Sequence, residues 1–116
     1  MSKAGDFELF QQEFKKWQQK FGLTGYKIYF KHERLVDAFA DMDVNLSGMI
    51  ATVRLNSKLS KEEKPFKNIK QDAKHEALHL LVGRLTGNAH HHSSSAEIDE
   101  ASEELVQKLE DLIPDF

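Results

Sequence analysis

His75-Glu76-Ala77-Leu78-His79 is the stretch from which the rest of the chain can be read. On a helix, residues four apart lie on one face, one turn above the other. His75 and His79 can therefore reach one ion through their rings, with Glu76 projecting beside them. Two imidazoles at this spacing fill two positions of a tetrahedral zinc site; a third ligand must come from elsewhere, and the fourth position stays open for water. Zinc lowers the proton affinity of that water, and Glu76, too far round the helix to ligate, is placed to take the proton during attack on a carbonyl. The spacing predicts Zn2+ as cofactor, His75 and His79 as ligands, Glu76 as catalytic base, and hydrolysis of a peptide bond.

The flanking residues supply the helix that the motif needs. Ala73, Ala77, Leu80, Leu81 and Leu85 recur at helical spacing, and neither Pro nor Gly interrupts Ile69 to Val82. Pro65 marks a loop, and Asn68 with Gln71 three residues on forms a candidate capping box, so one buried helix is expected from Asn68 to Leu85. Lys58, Lys61, Lys64, Lys67, Lys70 and Lys74 run through this region without interleaved aromatics, which reads as a solvated face rather than a nucleic-acid surface.

Further toward the N-terminus, Phe7, Phe10, Phe14, Trp17 and Phe21 step by three and four, with Asp6 at an N-cap position and Gly22 at a stop. Residues 7–21 are expected to form an amphipathic helix that covers a sheet with its aromatic face. Three runs of period two follow: Tyr26 to Lys31, Val36 to Val44 and Met49 to Leu55. Their connections, His32 to Arg34 and Asn45 to Gly48, are of hairpin length. A three-stranded antiparallel meander is the expected sheet.

On the C-terminal side, Thr86, Gly87 and Asn88 predict the end of the motif helix and a polar loop through Ser95. His90, His91 and His92 lie in that loop, where a third ligand or an oxyanion partner is the functional alternative to a mobile polar segment. A last amphipathic helix is expected from Ala96 to Ile113, with Ile98, Ala101, Leu105, Leu109 and Leu112 along its apolar face. It also carries Glu97, Asp99, Glu100, Glu103 and Glu104. A glutamate from this helix, packed across the first, is the simplest third ligand.

Bulk properties restrict the remaining choices. At 116 residues with formal charge −3 the chain has the size of one domain, residues 1–116, with one modest core. It contains no cysteine, so a metal must be held by nitrogen and oxygen. No run of about eighteen apolar residues and no leader-like start is seen, so neither membrane nor secretion is expected and the cytoplasm is the default location. Every apolar stripe is assigned to a core contact, which leaves no large apolar surface to expect. Oligomeric state is not readable.

An H-E-x-x-H helix followed by a glutamate-bearing helix resembles the gluzincin metallopeptidases. The chain length, the three strands and the short final helix are similar to the smallest of them, including metallopeptidase-like proteins of phages and prophages. The resemblance spans roughly Met49 to Leu112, and Thr52-Val53-Arg54-Leu55-Asn56 is also similar to the strand before the active-site helix of SprT-like zincins. What the resemblance implies is an α+β, zincin-like minimal domain: an N-terminal helix, a three-stranded sheet, the H-E-x-x-H helix and a C-terminal glutamate helix. It implies a zinc metallopeptidase acting on a peptide or protein, with no nucleic acid and an edge strand able to bind extended substrate. In the family register Glu103, followed by Val106 and Gln107, is the third ligand, with Gln107 where Asp or Asn usually stands; Glu100 and Glu104 are the alternatives. Outside that reading stand a metal that only ties helices together and a non-catalytic phage or host interaction module on a peptidase scaffold.

Overall fold

The computed structural model describes residues 3–115 and is an α+β arrangement of four α-helices and a three-stranded mixed sheet. Helix α1 spans Lys3–Lys20, strands β1, β2 and β3 span Lys27–Glu33, Ala40–Asn45 and Ile50–Asn56, and helices α2, α3 and α4 span Ile69–Leu81, Gly83–Ala89 and Ser95–Leu112.

The aromatic face of α1 lies in the core as its periodicity predicts. Phe10, Phe14 and Trp17 are fully enclosed, and Phe30 of β1 meets Phe10 and Phe14 edge-on at 6.4 and 5.6 Å. Ala51, Val53 and Leu55 of β3 and Ile69, Ala73, Ala77 and Leu80 of α2 complete this cluster, so α1 and α2 share one face of the sheet. Gly22, at φ +71°, ends α1 in the left-handed region that suits a glycine there, and Leu23 N–H reaches back to Gln18 O at 2.8 Å. The helix already runs at Lys3, so Asp6 is not its N-cap; it sits in the first turn and accepts from Lys67 Nζ at 2.8 Å.

The sheet is not the expected meander. Strand order is β1-β3-β2, with β1 parallel to β3 and β2 antiparallel to it. β3 takes the centre: its inner face, Ala51, Val53 and Leu55, is buried throughout where those of its neighbours are only partly so, and Arg54 on its outer face has acids on both sides. Asp41 and Asp43 of β2 bind Arg54 at 2.5 and 2.8 Å, and Glu33 of β1 lies at 3.8 Å. The expected strand from Val36 shortens to Ala40, and residues 34–39 become a crossover past the end of β3. Asn56 holds that crossover: its Nδ2 donates to Ala38 O and Leu35 O at 2.8 and 3.1 Å, and its Oδ1 accepts from Leu35 N–H at 3.2 Å. The β2–β3 hairpin stands as read, its turn closed by Asn45 Oδ1 accepting from Gly48 N–H at 3.0 Å.

α2 begins where the cap predicts, with Asn68 Oδ1 accepting from Gln71 N–H at 3.1 Å. It does not reach Leu85. Val82 leaves helical geometry at φ −91°, ψ 2°, and α3 starts anew at Gly83 and runs to Ala89, four residues beyond the expected helix end at Leu85. Gly87 lets the hairpin residue Leu46 come close; a Cβ there would lie 2.5 Å from a Leu46 methyl. Leu81 and Leu85 consequently face outward rather than joining the core. Two other expectations also change: Lys74 is buried rather than part of a solvated face, and α4 buries Val106 and Glu110 while Leu105 and Leu112 are exposed. Among the described residues no helix is long and apolar enough to cross a membrane.

Candidate metal centre

Helix geometry alone brings His75 and His79 together on α2, and their Nε2 atoms lie 3.2 Å apart. α4 crosses α2 so that Glu103 completes the group: its Oε1 is 2.8 Å from His79 Nε2 and its Oε2 3.3 Å from His75 Nε2. One donor atom from each residue fits within 4.8 Å of the others, a set that can hold a metal ion. Four ligands around an ion at about 2.0–2.1 Å stand about 3.3 Å apart, so these separations match a small divalent ion bound by nitrogen and oxygen. Neither of the other glutamates considered for this role joins the group: Glu104 pairs with Lys108 at 2.8 Å, and Glu100 is not among the donors that come together.

Glu110, absent from the sequence reading, holds the far side of His75. His75 Nδ1–H donates to Glu110 Oε1 at 2.7 Å, which fixes the tautomer that leaves Nε2 free to ligate. Gln71 Nε2 donates to the other Glu110 oxygen while its Oε1 accepts from Asn68 Nδ2 at 3.2 Å, so one side chain serves both the start of α2 and the helix pair. Lys74 anchors the same turn of α4 from behind: its Nζ donates to the backbone oxygens of Glu110 and Ile113 and to Asp115, and lies 5.2 Å above the Trp17 ring. A buried cation thus caps the C-terminal end of α4, where the helix dipole is negative. One signal for Glu110 was present in the sequence: it stands seven residues after Glu103, two turns along the same face.

Electrostatics separate the roles further. Burial raises the Glu76 carboxyl to about 7 despite the opposing pull of His75. Burial pulls the His75 imidazole down, but the Glu110 hydrogen bond and the charges of Glu76, Glu103 and Glu110 outweigh it, and the net shift is upward. For His79 burial prevails over the Glu103 charge and the shift is downward. Asp72, one turn before Glu76, is raised to about 6 by burial, and its Oδ2 is enclosed without a protein hydrogen-bond partner.

Two hollows meet at Glu76 and Glu103. The larger, about 520 Å3, runs along Val44 and Leu46 to Gly83, Thr86 and His90. The other, about 390 Å3, lies over Phe39, Gln71, Asp72 and Gln107. A separate apolar hollow of about 170 Å3 behind Asp72 contains neither motif histidine. Of the three loop histidines His90 reaches the cleft wall, its Nε2 3.5 Å from Asp99 Oδ1; the third donor of the group is Glu103, not a loop histidine. β2 pairs with β3 alone among the described residues, so its other edge borders this cleft. Comparison with protein-family models, curated proteins and solved structures finds no match.

Proposed function

We propose that the chain is a zinc-dependent metallopeptidase with a minimal gluzincin-like site, acting on a peptide or protein in an extended conformation. The observation that carries this reading is the convergence of His75, His79 and Glu103 on one point with the buried carboxyl of Glu76 beside it. His75 and His79 would give ring nitrogens, and Glu103 a carboxylate oxygen, to the ion. A zinc ion held there supplies Lewis-acid polarisation of a water and of the substrate carbonyl.

The remaining work belongs to the chain itself. Glu76, buried beside the three ligand side chains, would take a proton from the attacking water and later deliver it to the leaving amine. Glu110 holds the His75 ring, and Gln71 at its carboxylate and Lys74 at its backbone oxygen hold Glu110. The outer edge of β2 would offer an extended substrate a strand to pair with, on the wall of the cleft that Glu76 also lines.

The test is metal content and hydrolysis measured together on untagged protein. About one zinc per chain is expected, lost in His79→Ala and Glu103→Ala and kept in Glu100→Ala and Glu104→Ala. Cleavage of a mixed peptide library should require zinc and vanish in Glu76→Gln, which keeps the metal. A chain that takes up no divalent ion sinks the reading; one that binds zinc tightly but loses only stability on its removal has a structural metal instead.

A further inference from the structure

The hollow over Phe39, which opens beside the metal centre, has an uneven lining. Ala38, Phe39 and Ala40 give it an apolar wall, and five carboxylates reach it: Asp37, Asp72, Glu76, Glu103 and Glu110. No lysine or arginine lines either this hollow or the larger one that meets it, although the chain carries 16 such residues. Three of the five carboxylates already have a task. Glu103 is a donor of the metal group, Glu110 holds His75, and Glu76 stands beside the ligands as the proposed base.

Asp72 has no such task. Its Oδ2 is enclosed without a hydrogen-bond partner, and no lysine or arginine pairs with the carboxylate. Two lysines line the apolar hollow on its other side, but Lys67 is bound to Asp6 at 2.8 Å and Lys64 is exposed. A carboxylate taken out of water without a donor costs free energy, and a cationic partner removes that cost. Asp72 stands one turn before Glu76, about 6 Å along the helix axis. A residue next to a bond held at Glu76 can lay a lysine or arginine stem along the wall at 38–40 and bring its charged end to Asp72.

We propose that Asp72 selects a lysine or arginine side chain adjacent to the bond that is cut, so that the substrate is a basic peptide. The inference rests on the metallopeptidase reading of the same centre. A neutral apolar side chain would fit the wall and leave Asp72 without a donor, and a glutamate would face it with like charge. The rest of the lining acts in the same direction, since no base opposes the pull of the carboxylates on a cationic segment. A divalent ion at the centre would offset two of the five charges of the smaller hollow.

The probes are blocked alanine octapeptides with one lysine, glutamate or norleucine placed at each position in turn. Zinc-loaded wild type should cut the lysine series on one fixed side of the lysine, with kcat/KM about tenfold or more above the glutamate series. The zinc-loaded Glu76→Gln chain should bind the lysine peptide with a Kd about tenfold or more below that of the glutamate peptide, shifting amide signals of residues 37–40 and 71–73. Adding Asp72→Asn to either chain should bring both ratios to near one with zinc content unchanged. Asp111→Asn, which removes a charge outside both hollows, should leave the ratios as they were. Cleavage that ignores charge, or a lysine preference that survives Asp72→Asn, overturns the inference and leaves the peptidase reading standing. Selective binding of lysine through Asp72 with no cleavage by wild type does the reverse. Absence of selective binding overturns the inference whether or not the chain holds zinc.

Discussion

α2 and α4 both carry an apolar stripe at helical spacing and both send side chains to the same point, but they are packed by opposite rules. α2 buries Ala73, Ala77 and Leu80 against the sheet and α1, and its histidines lie on what is left. α4 buries Val106 and Glu110 and leaves Leu105 and Leu112 outside. The difference shows what orients each helix. α2 is placed by apolar area, of which it has enough in contact to fix its rotation. α4 is placed by a short apolar seam, Val106 with Leu78 and Val82, and beside it by a polar lattice in which Glu110 bonds His75 and Gln71, Lys74 bonds the last carbonyls, and Glu103 reaches both motif histidines. Rotating α4 by a quarter turn would bury its leucines and would lose all of these partners.

The strongest way to break the comparison is at the chemistry. Glu76→Gln should lower peptide hydrolysis by about 10²–10⁴-fold while zinc content stays near one per chain, because only proton transfer is removed. Retained activity would mean that Glu76 is not the base. Glu110→Ala comes next: zinc affinity should fall about 10–100-fold, read by competition with a chromophoric chelator, since the His75 ring loses its anchor. The same substitution at Glu104 should leave affinity alone, and equal losses at both positions would reduce the effect to general charge.

Packing sharpens the contrast at smaller magnitudes. Leu78→Ala, at the buried seam, should destabilise by about 2–5 kcal/mol in urea unfolding, whereas Leu105→Ala should change stability by about 0.5 kcal/mol or less. A large loss at Leu105 would show that the stripe is covered within the fold. Titration tests the buried carboxyls. In the metal-free chain burial raises Glu76 to about 7 from an ordinary 4.5, so the folded state binds that proton more tightly than the unfolded state. That stabilisation is complete below 4.5 and is lost as pH rises through about 7, a change on the order of 2–3 kcal/mol. His75, raised, acts in the same direction, and His79, lowered, against it. Melting temperature in the presence of chelator should therefore fall between about pH 5 and pH 8, and fall less in Glu76→Gln.

Much of the architecture was legible because local periodicity carries it. The aromatic steps of α1, the stop at Gly22, the cap at Asn68, the β2–β3 hairpin and the pairing of His75 with His79 each depend on residues within one or two turns of one another. Sheet order was not legible. β1 and β2 are both plausible neighbours of β3 or of each other by pattern alone, and the choice rests on Arg54 between acids of two strands and on Asn56 holding the crossover.

The sequence by itself determined the elements, the α+β class and the pairing of His75 with His79, since helical spacing fixes contacts one turn apart without any help from the rest of the fold. Tertiary structure decided the mixed sheet, the break at Val82, the burial of Lys74 and which glutamate of α4 lies beside the two histidines. It also revealed Glu110. The physical reason is the same in each case. The rotation of one element against another is set by the few polar partners that must be satisfied once buried, and an apolar stripe gives way where satisfying them requires it.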